Sequence, residues 1–395
     1  MKRDFCGDSE ISFIDVLLFC IVELISVKWS FIMHIESNLV AVAKRENNKK
    51  RSYLIVNPLQ GKHVPVSPGK SLEIFEMLAN KVKLAYEDEK ILFIGFAETA
   101  TAIGSHIAIS VGGKYIQTTR EIIEDVNYLF FSEAHSHATE QKLVKEDIES
   151  VIDEVDRVVF VEDEVTTGNT ILNIVNILKE NYGDIRFGVA SIINGMDEES
   201  KKIYQDMNID CHYLLKTNNN EYADIAEGFT CNGKYVVPNF DVVEVSTLVI
   251  DGHMDARRVQ NADEYLVAVE NLWDKLKQSI NVDSSKTYLV IGTEECMYPA
   301  IYIGKQIEET GCYVRTHSTT RSPISVSNDE GYPLHTRYEL RSLYDDERVT
   351  FIYNLDKYDE VIIVTDSKLQ EIKGEYSVVN AIGISNEKLT LVRWS

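Results

Sequence analysis

The sequence predicts an α/β protein: a parallel sheet with helices on both faces, followed by a second α/β unit. Three observations predict it. Short, continuous apolar runs such as ILFIGF (residues 91–96) read as strands buried on both faces. Segments with helical spacing alternate with these runs, a rhythm that builds parallel sheets covered on both sides. The length of 395 residues leaves room for about two domains.

Taken in order, the chain opens on an apolar stretch, ISFIDVLLFCIVELISV (residues 11–27), interrupted by Asp15 and Glu23 and followed by Lys28. A membrane span needs about 20 nearly charge-free residues, and the internal carboxylates also spoil a signal peptide. The stretch therefore reads as a buried or partner-binding helix, with Met33 as an alternative start; a membrane anchor is the lesser reading. Residues 1–45 are set apart as this extension. The polar run KRENNKKR (residues 44–51) introduces a first unit, residues 46–240. There YLIVN (53–57) predicts a strand, SLEIFEMLANKVKLAYE (71–87) a helix and ILFIGF a strand. ATAIGSHIAISVG predicts the next helix and YIQTTR (115–120) the next strand. DIESVIDEV leads into the strand RVVFVED (157–163), then a helix through TGNTILNIVNILKENYG with Gly183 as its stop, then the strand RFGVASIIN. A second unit, residues 241–395, carries a helix over 262–278, the strand YLVIG (288–292), a helix ending at Thr310-Gly311, and the strand EVIIVTDS (360–367). No Pro/Gly/Ser-rich linker separates the units, so close packing between them is expected.

Composition narrows the function. With 40 basic and 63 acidic residues the formal charge is −23, which argues against a bulk nucleic-acid binder. A small polyanion is still admissible if local amides, a few cations and a metal hold it against the overall field. The six cysteines are scattered without a CxxC pair, so neither a disulfide framework nor a zinc ribbon is expected and a cytoplasmic location fits.

The units read as distant copies of one another. FIGFAETATAIG (93–104) aligns with VIGTEECMYPAIYIG (290–304), TTR recurs at Thr118–Arg120 and Thr319–Arg321, and VVFVEDE (158–164) aligns with VIIVTDS (361–367). The offsets drift through 197, 201 and 203 residues. An unrelated second α/β domain is the alternative.

The chemistry-bearing segment is VVFVEDEVTTGNT, residues 158–170. An apolar strand ends in two acids, a loop of small and hydroxylic residues follows, and a helix begins. Ligands of open parallel sheets bind beyond the carboxyl ends of strands. A helix N-terminus with free amides and hydroxyls cradles phosphate. Glu162 and Asp163 are placed to accept from vicinal sugar hydroxyls, so the moiety expected is a ribose 5-phosphate. The plainer alternative is an acidic strand end before an ordinary helix cap.

This segment resembles the phosphoribosyl-pyrophosphate (PRPP) fingerprint of type I phosphoribosyltransferases. With IGFAETATAIG, TTRE, FSEAHSHATEQ and TTRSP (319–323), residues 34–395 resemble the orotate-phosphoribosyltransferase-like proteins that carry a C-terminal TRSP domain and are encoded near tellurium-resistance and stress genes. The resemblance implies that Glu162 and Asp163 hold the ribose hydroxyls, and that Thr166, Thr167, Gly168, Asn169 and Thr170 bind the 5-phosphate. Glu98, Thr99, Ala100 and Thr101 stand at the pyrophosphate loop, with Arg120 as the candidate cation; its alternative is a surface ion pair. Ser132 to Gln141 takes the place of the mobile catalytic loop. There Glu133, His135 and His137 are candidate catalytic groups, for proton donation or anion stabilisation; a metal pair and roleless loop histidines are the alternatives. The usual loop lysine is not evident, with Lys142 and Lys145 just beyond. Thr166 stands where the purine-salvage branch has a carboxylate, which favours the orotate-like branch.

The expected activity is therefore Mg²⁺-dependent transfer of a phosphoribosyl group between pyrophosphate and a nitrogenous, nucleobase-like partner, in either direction. Mg²⁺ would be held through PRPP and by Asp163. A PRPP- or nucleotide-sensing regulator without turnover and a stress-response scaffold are the rival readings. VIIVTDS keeps one acid, Asp366, and lacks the loop, so the second unit is not expected to bind PRPP. Its Glu294, Glu295, Thr319, Thr320, Arg321 and Ser322 are expected to line a second pocket, to complete the first across an interface, or to form a structural turn ended by Pro323. Type I relatives are often dimers, so a homodimer is one expected assembly.

Overall fold

The computed structural model describes residues 39–46, 51–131, 141–183 and 185–395. The N-terminal apolar stretch and the loop candidates Glu133, His135 and His137 lie outside the described residues.

An antiparallel hairpin, β1 (Ala41–Lys44) with β2 (Tyr53–Val56), opens the structure. The run YLIVN does form a strand, but in this hairpin and not in the main sheet. It buries Val56 against Ile324, Leu334 and Tyr353 of the second unit, so its apolar partners lie elsewhere. Helix α1 (Pro68–Ala85) starts with Pro at its first position, where no intrahelical N–H bond is lost, and Ser67 caps it. Its buried stripe, Ile74, Phe75, Leu78, Ala79 and Val82, follows the i, i+4 and i, i+3 spacing. Each large side chain contributes about 1.5–3 kcal/mol by leaving water.

The first sheet is then laid down: β3 (Ile91–Gly95), α2 (Thr101–Val111) and β4 (Lys114–Gln117). A small antiparallel pair, β5 (Tyr128–Phe130) and β6 (Lys142–Val144), and the short helix α3 (Lys145–Val151) intervene. The chain continues through β7 (Arg157–Val165), α4 (Asn169–Tyr182), β8 (Arg186–Asn194), α5 (Glu198–Asp206) and β9 (Ile209–Lys216). A helix, α6 (Tyr222–Gly228), and the strands β10 (Lys234–Val236), β11 (Ser246–Ile250) and β12 (Gln260–Asn261) lead into the second unit. That unit comprises α7 (Ala262–Ser279), β13 (Thr287–Gly292), α8 (Tyr298–Glu308) and β14 (Tyr313–Ser318). It ends with β15 (Thr336–Arg341), β16 (Val349–Tyr353), β17 (Glu360–Thr365), α9 (Lys373–Gly383) and β18 (Leu389–Trp394).

The first sheet runs β12-β4-β3-β7-β8-β9 and is parallel apart from the β12–β4 edge. Strand order reverses between β3 and β7, because the chain leaves β3 to one side and returns on the other. The second sheet runs β14-β13-β17-β18-β11 and is wholly parallel, with its reversal between β13 and β17. A third, smaller sheet joins β10, β15 and β16.

The units interlock. Strand β12 extends the first sheet, β10 extends the sheet of β15 and β16, and Val66 bridges to Thr316. One apolar core runs through both units, joining Phe75, Ile103 and Tyr115 of the first to Tyr298, Ile301 and Trp394 of the second. Close packing is what the missing linker predicts. No helix among the described residues is long and apolar enough to cross a membrane.

Candidate functional site

The carboxyl ends of β3 and β7 flank the strand-order reversal, where α/β sheets open a crevice. In β7 the first five residues are buried and Glu162, Asp163 and Glu164 follow half-buried. Alternation along a strand sends Glu162 and Glu164 to one face and Asp163 to the other. Asp163 accepts from the Thr99 hydroxyl at 2.8 Å. Glu164 takes Arg51 through both oxygens, at 2.7 and 2.8 Å. Among the described residues no side chain hydrogen-bonds the Glu162 carboxylate; the backbone of Asp163 does. Desolvation, with Asp163 and Glu164 beside it, pushes its acid well above the usual range. Burial raises Asp163 too, against the Thr99 bond. Crowded carboxyls of this kind are poised to accept sugar hydroxyls or a cation.

Past Val165 the chain turns into α4 through Gly168, whose φ of +73° lies in the left-handed region. A Cβ there would meet the Tyr204 hydroxyl at 2.2 Å. That hydroxyl instead donates to the Gly168 carbonyl at 2.8 Å, pinning the turn from α5. The N-cap residue Gly168 has no side chain to offer, and the first-turn amides have no intrahelical acceptors; Asn169 N makes a long bond of 3.4 Å to the Thr167 hydroxyl. They line a pocket of about 70 Å³ with Glu162, Glu164 and the turn Thr166–Thr170. Five residues expected on a 5-phosphate thus share one small polar cavity at a helix N-terminus. A larger cavity of about 990 Å³ lies where β11, β17 and β18 begin, at the opposite end of the second sheet.

Across the reversal, the loop after β3 is fixed by its backbone: Phe96 N donates to Val161 O at 3.0 Å and Ala97 N to the Thr118 hydroxyl at 2.8 Å. The Ala97–Glu98 peptide is cis. Ala100 and Thr101 are buried, and Thr101 donates back to the Glu98 carbonyl at 3.3 Å. The Glu98 carboxylate turns away toward the second unit. Lys62 Nζ sits 2.7 Å from it and the Arg321 amide 3.2 Å. Burial would raise this acid, but the Lys62 and Arg321 charges override it and hold Glu98 at about 2.

Lys62 is the charged residue beside this loop that motif reading passes over. It is fully buried, and it also donates to the carbonyls of Glu294 at 2.8 Å and Thr319 at 3.0 Å. One signal was available: Lys62 is the sole charged side chain between Arg51 and Lys70, apart from neutral His63. A lone ammonium in an apolar, proline-rich stretch has to find a counter-charge.

Arg120 follows β4 at the same end of the sheet. Its amide donates to Glu295 at 3.0 Å, yet its guanidinium makes no ion pair among the described residues, and its Nε is buried without a partner. Its charge lowers the Glu162 acid, and the charges of Glu98 and Glu295 act on it in turn. The surface-pair alternative for Arg120 does not occur among the described residues. The roots of the segment containing Glu133, His135 and His137 reach this neighbourhood. Gln141 accepts from the Thr118 hydroxyl at 2.8 Å, and Lys142 bridges to Thr119. Lys142 itself lies over the Tyr128 ring, 4.4 Å from its centroid, and Lys145 pairs with Glu149.

In the second unit, Glu294, Glu295, Thr320 and Arg321 face the first unit. Arg321 pairs with Glu294 at 2.8 Å, Glu98 at 3.4 Å, Glu295 at 3.7 Å and Glu121. Ser322 donates its amide to Thr320, within its own turn, and its carbonyl accepts from the Tyr353 hydroxyl at 2.7 Å; Thr320 bridges to Phe351. Asp366 already accepts from Arg257 and Tyr344. His253, Asp255 and Asp366 converge within 4.8 Å in a pattern suited to a metal. Arg257 Nη1 pairs with both carboxylates, so its guanidinium supplies the charge a cation would bring. The fingerprint carboxylates Glu162 and Asp163 offer hard oxygen donors of the kind Mg²⁺ prefers, without such a guanidinium between them.

Residues 39–218 match a family model described as phosphoribosyl transferase, and residues 256–381 match one described as the TRSP domain C-terminal to it. Solved structures similar to the chain include adenine phosphoribosyltransferase from Rhodothermus marinus, at 14% identity over 46% of this chain and 98% of that one, with a TM-score of 0.33. The Saccharomyces cerevisiae adenine phosphoribosyltransferase, complexed with an imino-altritol bisphosphate and adenine, is similar at 12% identity over 47% and 99%, TM-score 0.32. A hypoxanthine phosphoribosyltransferase from Staphylococcus aureus is similar at 11% identity over 40% and 78%, TM-score 0.25. No curated protein matches the chain.

Proposed function

We infer, from the premise that residues 39–218 belong to a phosphoribosyl transferase family and residues 256–381 to its TRSP companion domain, that the β3/β7 reversal transfers a phosphoribosyl group between PRPP and a nitrogenous base. The observation that carries this reading is the Thr166–Thr170 turn at the α4 N-terminus opening on its own cavity, with Glu162 at its rim. The 5-phosphate takes the α4 amides and the loop hydroxyls. Glu162 and Asp163 accept from the ribose hydroxyls, and Thr99 fixes the Asp163 rotamer. Arg120, whose guanidinium has no ion pair among the described residues, takes pyrophosphate charge. Substitution at the anomeric carbon builds positive charge on the sugar and negative charge on the departing diphosphate. The chain needs no nucleophile of its own; its residues orient both reactants and steady the leaving group.

Asp163, together with PRPP oxygens, would hold Mg²⁺. When bound, the ion supplies electrostatic stabilisation of the diphosphate. A chain at −23 has particular use for it. The base partner is a nucleobase-like heterocycle, and a cytoplasmic location suits the reduced cysteines and the soluble substrates.

The deciding experiment incubates the protein with PRPP, Mg²⁺ and a panel of bases and measures pyrophosphate. Base-dependent release that disappears on chelation and in Asp163→Asn is expected. Saturable PRPP binding without release from any base would replace the transferase by a sensor. Absence of PRPP binding would end the reading.

A further inference from the structure

The two units match in detail. Both sheets place their strands in the same order, β4-β3-β7-β8 in one and β14-β13-β17-β18 in the other. Three hydrogen bonds at the carboxyl ends recur between equivalent residues. Phe96 N donates to Val161 O at 3.0 Å, as Thr293 N does to Val364 O at 3.2 Å. Thr118 N donates to Gly95 O at 2.9 Å, as Thr319 N does to Gly292 O at 3.1 Å. The Thr118 hydroxyl accepts from Ala97 N at 2.8 Å, and the Thr319 hydroxyl accepts from Glu294 N at 2.9 Å. These pairs sit at the sequence offsets of the TTR and strand repeats, which chance similarity of two α/β rhythms would not reproduce.

The contacts between units are reciprocal as well. Arg321 N donates to Glu98 Oε1 at 3.2 Å, and Arg120 N donates to Glu295 Oε1 at 3.0 Å. Glu98 and Glu295 are equivalent, and so are Arg120 and Arg321. When residue i of one unit meets j of the other and j meets i, the two are related by an approximate two-fold axis. The symmetry then breaks at the side chains. Arg321 is consumed by four carboxylates, whereas the Arg120 guanidinium has no ion pair among the described residues. Among the described side chains Asp163 is met by the Thr99 hydroxyl, whereas Asp366 is covered by Arg257 and Tyr344.

We propose that the second unit is a diverged internal copy of the first, apposed across a pseudo-two-fold. In this arrangement Arg321 is a positioning residue for the pyrophosphate end of the one open site: by holding Glu98, it leaves Arg120 to the ligand. The physical reason is competition. Glu98 and Glu295 are the carboxylates nearest in kind to Arg120; Lys62 and Arg321 neutralise the first, and Arg257 the second, paired at 2.8 Å. Without Arg321, Glu98 would draw the Arg120 guanidinium away from the ligand. The equivalent site of the second unit is filled by Arg257 and Tyr344 and takes no sugar phosphate. The proposal rests on the phosphoribosyl reading above.

Calorimetric titration of the full chain with PRPP and, separately, with ribose 5-phosphate, both with Mg²⁺, tests it. Wild type should bind one PRPP per chain. Arg321→Gln should bind PRPP at least about tenfold more weakly while keeping wild-type affinity for ribose 5-phosphate, which lacks the diphosphate. A variant that is merely misfolded would lose both ligands, and Arg321→Lys, which keeps the charge, should recover part of the loss. Equal PRPP affinity in wild type and Arg321→Gln, parallel loss of both ligands in Arg321→Gln and Arg321→Lys, or two PRPP per wild-type chain would each overturn the proposal and leave the transferase reading standing. Wild type that binds no PRPP would overturn both.

Discussion

Gly168 shows how much one residue decides. Its left-handed backbone turns β7 into α4, and its missing Cβ admits the Tyr204 hydroxyl. Gly168→Ala should lose about 1–2 kcal/mol from the conformation alone, and more from the collision, together with ribose 5-phosphate affinity. Tyr204→Phe forfeits one hydrogen bond, about 1 kcal/mol, but relieves part of the collision. The two changes should therefore be less than additive in a denaturant-unfolding cycle. Strict additivity would mean that Tyr204 does not set the turn. Arg120 belongs to the same scale. Its Nε is buried without a partner among the described residues, a cost that the proposed diphosphate contact would offset.

At the scale of elements, the segment between β2 and α1 ties the two sets of loops together through Lys62. Taking one partner from a buried pair leaves the other charge uncompensated, a loss of about 3–5 kcal/mol. Glu98→Gln should therefore destabilise the protein by about that much at pH 7. The pH dependence has a definite sign. The Glu98 acid lies at about 2 in the folded state, below its ordinary 4.5. Its stabilising contribution is therefore complete above 4.5 and is lost as pH falls toward 2. Denaturant midpoints of wild type and Glu98→Gln should converge over that interval; a gap that stays constant would show that the Lys62 pair is not what holds the carboxylate ionised.

At the scale of the molecule, the shared core and the crossing strands β10 and β12 make one cooperative body of the two units. A fragment ending at residue 240 would expose Phe75 and Ile103 where Tyr298 and Ile301 now cover them, and it would lose β12 from its sheet edge. It should aggregate or remain unfolded. The intact chain should unfold in a single transition by tryptophan fluorescence and by circular dichroism alike. Two separated transitions would refute the common core.

How much of this was legible follows from the range of each interaction. The strands buried on both faces, β3, β7 and β8, announced themselves as unbroken apolar runs, and the acids and glycine after β7 announced the cradle. These are local facts, carried by neighbours in the chain. Strands β15 and β16 were not picked out: in β15 half-buried charged residues alternate with buried apolar ones, and the two strands pair with each other and with β10, in a sheet separate from the main ones. The counter-charge of Lys62 lies 36 residues away at Glu98, and that of Glu98 lies 223 residues away at Arg321. The repeat could be suspected from TTR and two strand ends, but whether its halves sit side by side or face to face is not written in any segment. By itself the sequence determined the layers, the fingerprint turn and the kind of ligand they suit. Only the tertiary structure decided which arginine is consumed by carboxylates and which keeps its guanidinium out of an ion pair among the described residues, because a buried charge draws its partners from wherever the fold brings them, here from opposite ends of the chain.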